Sequence, residues 1–563
     1  MILYLVEITA GIALILYSFI PCLRGGRSAA AGIPRTKKTP AGSVCTGLLL
    51  ALFLFLITYK ADRIPMAYNL DEASAAYDAL SLVRYGVDRY LYRNPVYFIN
   101  FGGGQNALYT YLAALMIRIF GYSIRIIRMP AIILSFVSAV CLVTTIRNEY
   151  GDRAAVIAAG LFCCLPFSVM HSRWALESYL LFPMLIISCT ALHHAVRTGK
   201  VRLFAVSGVL FGLTLYSYAI SYAFLPLFLA PYLLYLLWVK KISLKHLFAL
   251  GIPLFILALP LILLLAVNNG LIGEIRTPYL SVPKLPEYRG GEIGPRYIPG
   301  NLIPGKSNIF YRIFFNDRQL YNSIAKFGTL YYVSLPLILL GFIMFLKSAV
   351  RSFRQRAASP ELMIIILFSA ASITTLMLQD INVNRACEIY FPLICFLAAG
   401  LHAVCRRPSA GVIAAGVYLI LSACFFRYYF TEYPALFGNM YGFASITDLK
   451  DALAFTESIN TDGNMVYVIG KNQPYISVIL ALETDPYSFT EKKMTEGLTV
   501  TGFDNYRFMR HLHWDGIPEK PVYIFRDIAD IPWRMDLTGL ESRQFGTVKV
   551  YYSPLIYDPL PAE

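Results

Sequence analysis

Residues 107–120 read ALYTYLAALMIRIF, and whether this block crosses a membrane decides on which side every later segment emerges. An upright helix needs about 20 apolar residues to cross the hydrocarbon core. This block falls short and carries Arg118. Twelve other blocks have the expected length: residues 2–20, 44–59, 129–146, 154–170, 179–195, 203–219, 222–239, 247–267, 330–346, 362–378, 389–404 and 410–426. Charge settles the ambiguous one. If 107–120 lies along the surface, loops 23–43, 147–153, 196–202, 240–246, 347–360 and 405–409 share one side. Together they hold nineteen Lys and Arg, against Glu149 and Asp152. If it crosses, the first loop faces away from the other five. The excess of cations in cytoplasmic loops selects the surface arrangement. Tyr109, Tyr111, Arg118 and Tyr122 also suit an interfacial helix.

Composition agrees. The chain has 563 residues, 57% hydrophobic and 15% charged, and its mean hydropathy is +0.57. A soluble chain carries about a quarter charged residues. The net charge of +15 sits in short loops, so it reports orientation and not a nucleic-acid partner. The ten cysteines lie in or beside apolar segments, which excludes a disulfide framework, and no C-x-x-C pair suggests zinc. Residues 1–20 lack a basic leader, contain Glu7 and precede basic residues. They read as an uncleaved helix with its N-terminus outside. The expected architecture is a polytopic α-helical membrane protein with about twelve transmembrane helices.

Three long segments then share the outer face: 60–128, 268–329 and the tail 427–563. The second is rich in Pro and Gly and reads as irregular. The tail reads as a small α/β extracytoplasmic domain, with a helix over 448–460 and strands over 465–469, 522–525 and 548–552. Residues 1–43 form an added N-terminal helix and basic cytoplasmic loop.

Polar side chains with chemical potential collect in the outer loops. Asn69-Leu70-Asp71-Glu72 places two adjacent carboxylates beyond the span 44–59. A carboxylate at the bilayer centre costs roughly 2.5 to 3.5 kcal/mol, so the pair belongs at the surface or in a polar cavity. It reads either as a general base or as the acidic first turn of a surface helix running to Arg84. His171-Ser172-Arg173-Trp174-Ala175-Leu176-Glu177 sets His, Arg and Glu at a span end; the alternative is an interfacial Trp with flanking charges. Asp380-Ile381-Asn382-Val383-Asn384-Arg385 offers an arginine for a phosphate, or a helix-end anchor. Gly102-Gly103-Gly104 lacks the lysine of a phosphate cradle, and no nucleotide motif is present. His511 and His513 read as strand neighbours and not as metal ligands.

The order of these pieces resembles the GT-C superfamily of membrane glycosyltransferases. The similarity is to the family 39 branch, which holds protein O-mannosyltransferases and aminoarabinose transferases. It covers residues 44–404. Its marks are Asp71-Glu72, Leu108-Tyr109-Thr110-Tyr111, Phe120-Gly121-Tyr122-Ser123, Arg128-Met129-Pro130, Tyr150-Gly151-Asp152-Arg153, Ser172 to Glu177, and Asn384-Arg385 with Tyr390 and Pro392. The resemblance makes 44–426 the catalytic domain, with outer loops 60–128, 171–178, 268–329 and 379–388. It implies Asp71 as catalytic base, Glu72 in support, and Glu177 as a second carboxylate near the acceptor, where relatives often have Asp. It also implies interfacial helices in the first outer loop. The added helix 2–20 and the tail lie outside the pattern.

The reading that follows is inverting transfer of a sugar from a polyprenyl-phosphate donor to a cell-envelope acceptor, on the extracytoplasmic side of a bacterial cell membrane. Arg385, Arg173 and His171 are the expected donor-phosphate ligands, with Arg276, Arg289, Arg296 and Arg312 in the long loop. No cofactor is required by the pattern, and a divalent metal stays open. A polysaccharide polymerase or ligase would use similar donors. A transporter would show paired repeats and polar breaks within its spans, whereas polar residues here gather in loops.

Single cysteines placed at positions 37 and 354 of a cysteine-free chain should react only with membrane-permeant reagents. Those at 301 and 504 should react with impermeant ones. External labelling at both 37 and 354 would reject the topology.

Overall fold

The protein is described by a computed structural model over residues 2–24, 37–66, 68–288, 293–303, 308–315, 323–354, 359–436, 445–470, 474–509, 520–525 and 537–554. Arg289, His511 and His513 lie outside the described residues.

The chain begins with α1 (Ile2–Arg24), α2 (Pro40–Thr58) and α3 (Leu70–Tyr85). A hairpin of β1 (Tyr97–Asn100) and β2 (Gly103–Asn106) leads to α4 (Ala107–Phe120). Then come α5 (Ile124–Tyr150), α6 (Asp152–Cys164), α7 (Pro166–His171), α8 (Ser178–Thr198), α9 (Val201–Leu215), α10 (Ser221–Trp238) and α11 (Leu244–Asn268). The long loop holds the short pair β3 (Ile275–Arg276) and β4 (Ser281–Val282), with α12 (Ile298–Leu302) and α13 (Ile309–Phe314). Next are α14 (Ser334–Arg354), α15 (Pro360–Met377), α16 (Tyr390–Val404) and α17 (Pro408–Thr431). The tail contributes α18 (Ile446–Ile459), β5 (Val466–Ile469), α19 (Tyr475–Ala481), α20 (Pro486–Lys492), β6 (Lys493–Glu496), β7 (Thr499–Phe503), β8 (Tyr506–Met509), β9 (Val522–Phe525), β10 (Glu541–Phe545) and β11 (Val548–Tyr552).

Among the described residues, 9 helices are long and apolar enough to cross a membrane. They correspond to nine of the twelve blocks read in the sequence. The other three blocks also form helices. Block 2–20 lies in α1. Block 203–219 forms α9, of 15 residues. Block 154–170 is divided at Leu165, because Pro166 cannot donate a backbone N–H and instead opens α7 at its first turn. Helix α4 has 14 residues, about 21 Å at 1.5 Å each, short of the hydrocarbon core. It buries Tyr109, Thr110, Ala113 and Ile117, and exposes Leu115, Ile119 and Phe120.

The chain divides into two compact units that do not follow sequence order. The first holds residues 1–59, 131–262 and 289–427. Its helices approach closely where glycine removes the side chain. A β-carbon at Gly341 on α14 would collide with the Phe396 carbonyl on α16, and one at Gly400 on α16 with the Leu337 carbonyl on α14. Small residues let helices meet backbone to backbone in an apolar medium.

The second unit holds residues 60–130, 263–288 and 428–563. Its tail builds a mixed sheet in the order β10-β11-β9-β5-β8-β7-β6. Strand β5 runs parallel to both β8 and β9, and β11 runs antiparallel to β9. The sheet's centre is apolar: Val466, Val468, Val522, Ile524, Val548 and Val550 are all buried. Helix α18 packs on this sheet, and α19 packs on α3.

Gly341→Ala should lower thermal stability, since overpacking costs about 1 to 3 kcal/mol. Gly416→Ala on α17, with nothing within 4 Å of its added carbon, should be neutral or mildly stabilising. Equal melting temperatures for the two variants would contradict the close approach.

Candidate active site

In the second unit, Asn69 stands in extended conformation before α3 and its side chain accepts the Asp71 N–H at 3.0 Å. This cap starts the helix. Asp71 and Glu72 therefore occupy the first turn, where negative charge complements the helix dipole. The two carboxylates then part ways. Glu72 is fully buried and meets Arg128, with Nε to Oε1 at 2.7 Å and Nη2 to Oε2 at 3.0 Å. Arg128, also buried, donates from Nη1 to the Ala61 and Pro65 carbonyls, each at 2.9 Å. One guanidinium thus ties together the first turn of α3, the start of α5 and the connection after α2.

Asp71 is exposed. Its Oδ1 accepts from Asn100 Nδ2 at 2.9 Å, and its carbonyl accepts from Gln105 Nε2 at 3.3 Å. Asn100 ends β1 and Gln105 lies in β2, so the hairpin presents both. The two-residue turn between these strands needs positive φ at each position. Phe101 has φ 47° and Gly102 has φ 84°. The glycine run is therefore a hairpin and not a phosphate cradle.

Behind Asp71 lies a buried polar chain. Asn100 Oδ1 accepts from Ser74 Oγ at 2.8 Å and from Arg89 Nη2 at 3.4 Å. Arg89 pairs with Asp78 at 2.9 Å, with both side chains about 1% exposed. Asp88 accepts the backbone N–H groups of Tyr90 and Tyr92 at 2.9 and 2.8 Å. Burial, reinforced by the Asp78 charge, pushes its carboxyl up to about 7. The tail braces this assembly. Tyr77 donates to the Thr484 carbonyl at 2.8 Å, and Thr490 to that of Arg89 at 3.3 Å. Arg84 pairs with Glu483 at 2.5 Å.

The remaining sequence candidates lie in the first unit. His171 is buried, with its ring stacked on Tyr179 at 4.0 Å and against Phe167 at 4.7 Å. Arg173 is fully buried, and its guanidinium donates to the Leu56 and Tyr59 carbonyls at 2.6 and 2.7 Å. Those are terminal carbonyls of α2, which lack partners within their own helix. Trp174 is fully buried, so it is not the interfacial anchor of the alternative reading. Glu177 is half-buried and leads into α8. Ser178 donates to Asn384 Oδ1 at 3.2 Å, and Cys387 Sγ to the Ser178 carbonyl at 3.3 Å. These bonds bring the segments carrying Glu177 and Arg385 side by side. Arg385 is half-buried, its N–H held by Asn382 at 2.9 Å and its carbonyl by Gln379 at 2.8 Å.

Sequence alone gives no role to Arg128, Arg89, Asp78 or Asn100. Arg128 stands at the start of an apolar span, which hints at burial but names no partner. Among the described residues, the one grouping with metal-ligand spacing includes none of these candidates.

The family model described as dolichyl-phosphate-mannose-protein mannosyltransferase matches residues 106–264. The crystal structure of ArnT from Cupriavidus metallidurans bound to undecaprenyl phosphate superposes with a TM-score of 0.50 at 12% identity, covering 93% of this chain and 100% of that one. The apo state of the same protein gives 0.50 at 12%, covering 92% and 99%. The chain has the GT-C fold. No curated protein matches its sequence. The superfamily resemblance read from the ordered motifs is borne out, as are the membrane-spanning helical class and the small sheet-bearing tail.

Arg128→Ala should destabilise the protein by about 3 to 5 kcal/mol, because it removes the guanidinium paired with the buried Glu72 carboxylate. Glu72→Met combined with Arg128→Met should recover much of that loss, and Asp71→Asn should change stability little. Thermal unfolding of the three purified variants reads the order. A double variant as unstable as Arg128→Ala would overturn the ion-pair account.

Proposed function

We propose that this chain is a membrane glycosyltransferase that takes a sugar from a polyprenyl-phosphate donor on the extracytoplasmic face and passes it to a cell-envelope acceptor. The observation that carries the reading is the contrast within one helical turn. Glu72 is buried and neutralised by Arg128, while the adjacent Asp71 is exposed and held by Asn100. A fixed, accessible carboxylate on a GT-C scaffold is the general base that glycosyl transfer to a hydroxyl needs. A protein of the same fold is known bound to undecaprenyl phosphate, which supports the donor class.

In this mechanism Asp71 takes the proton of the acceptor hydroxyl as its oxygen attacks the anomeric carbon. The bond from that carbon to the phosphate oxygen breaks on the opposite face, so configuration inverts. The electron pair leaves with the lipid phosphate. Arg385 is the donor-phosphate ligand we favour. Its guanidinium can bind phosphate bidentately, and its backbone is fixed by Asn382 and Gln379. Glu177, on the neighbouring segment, serves the acceptor. Glu72 acts by positioning α3. Arg173 and His171 hold the local packing, consistent with their burial.

Turnover is measured as release of polyprenyl phosphate by purified protein. Asp71→Asn should lower kcat by roughly a hundred- to ten-thousand-fold. Asn100→Ala should lower it less. Arg385→Ala should raise the KM for the lipid donor, with Arg385→Lys recovering part. Near-normal turnover by Asp71→Asn would sink the mechanism, and unchanged donor KM in Arg385→Ala would remove the clamp.

A further inference from the structure

Four polar side chains from four helices of the first unit converge on one cavity. Glu149 comes from the end of α5, His193 from α8, Glu361 from the first turn of α15 and His402 from α16. The cavity encloses about 850 Å³ of empty space, counting its open mouth. Much of its remaining wall is apolar, including Leu142, Ile146, Phe345 and Ile365. The ligand atoms of Glu149, His193 and Glu361 all lie within 4.8 Å of one another. Glu149 and His193 are buried, at 7% and 8% exposure.

His402 supplies a second, independent observation. It is 1% exposed, and neither of its ring nitrogens has a hydrogen-bond partner among the described residues. A buried polar atom left unpaired costs about 1 to 3 kcal/mol, so such atoms call for a ligand. The present occupants of the cluster are weak competitors. Arg197, nearly half exposed, pairs with Glu149, and His193 Nε2 lies 3.3 Å from the same oxygen. Arg153 and Arg406 add positive charge near His402.

We propose that Glu149, His193 and Glu361 form a divalent metal site of the zinc type, with His402 on the wall of the same cavity, separate from the residues assigned to sugar transfer. Imidazole nitrogen and carboxylate oxygen are zinc ligands at bond lengths near 2.0 Å, and three such protein ligands leave a position for water. The site lies far along the helices from Glu177 and Arg385. His193 is 15 residues beyond Ser178 on α8, or about 22 Å, and His402 is near the end of α16 remote from Arg385. Metal here cross-links α5, α8 and α15, and displaces Arg197 from Glu149.

The full-length protein in detergent, stripped with EDTA, is titrated with zinc chloride alone. Bound metal is counted by mass spectrometry after desalting, and thermal midpoints are recorded. The parent should hold one zinc ion per chain and melt at higher temperature with metal than in EDTA. Glu361→Gln, a half-buried isosteric change, should fold as the parent does and weaken zinc binding at least tenfold. His193→Gln combined with Glu361→Gln should abolish stoichiometric binding. Arg197→Ala should tighten binding, because it removes the competing cation, whereas a purely ion-paired cluster would show no gain. Asp71→Asn should still hold one zinc. A parent that holds no zinc, or a His193→Gln/Glu361→Gln variant that holds as much as the parent, overturns the site.

Discussion

A carboxylate and a guanidinium removed from water together organise the second unit. Glu72 and Arg128 each lose their hydration shell, a cost of several kcal/mol per ion that only good geometry offsets. The geometry is good. Both carboxylate oxygens are engaged, and the remaining guanidinium edge reaches two backbone carbonyls. Isolated from water, this pair tolerates little displacement. It therefore fixes the register of α3 against α5 and the chain after α2, and with it the orientation of Asp71 one residue away. The same logic recurs nearly two turns on, where Arg89 and Asp78 support Asn100 and Ser74.

Arginine plays two physically distinct parts in this molecule. Arg128, Arg89 and Arg173 are wholly buried and act as structural donors to carboxylates or to terminal carbonyls. Arg173 closes the end of α2, whose last carbonyls would otherwise be unsatisfied. Arg385 differs, since it is half-buried and its own backbone is held by neighbours. Exposure, not residue type, separates an anchor from a candidate ligand. The tail domain is likewise more than an appendage. Through α19, Thr484 and Thr490 it braces α3 and the Arg89 loop, which hold the candidate base.

Hydropathy and charge determined the membrane class, the helical blocks and the short helix 107–120, because both signals are additive along the chain and need no partner. The tail strands over 466–469, 522–525 and 548–552 were legible for the same reason, as local alternation of β-forming residues. The acidic pair was legible as a pair. That Asp71 is exposed while Glu72 is buried was not, since the distinction depends on Arg128, 56 residues later. Nor could the sequence join Asn100 to Asp71, Glu177's segment to Arg385's, or Glu149, His193, Glu361 and His402 into one cavity. Block 154–170 reads as continuous by hydropathy, yet the break at Leu165 is local too, since Pro166 opens a new helix. What a residue does alone, partitioning from water or favouring a helix, was settled by the sequence. What it does with a distant partner was decided by tertiary structure, because burial and pairing belong to the folded neighbourhood and not to the residue.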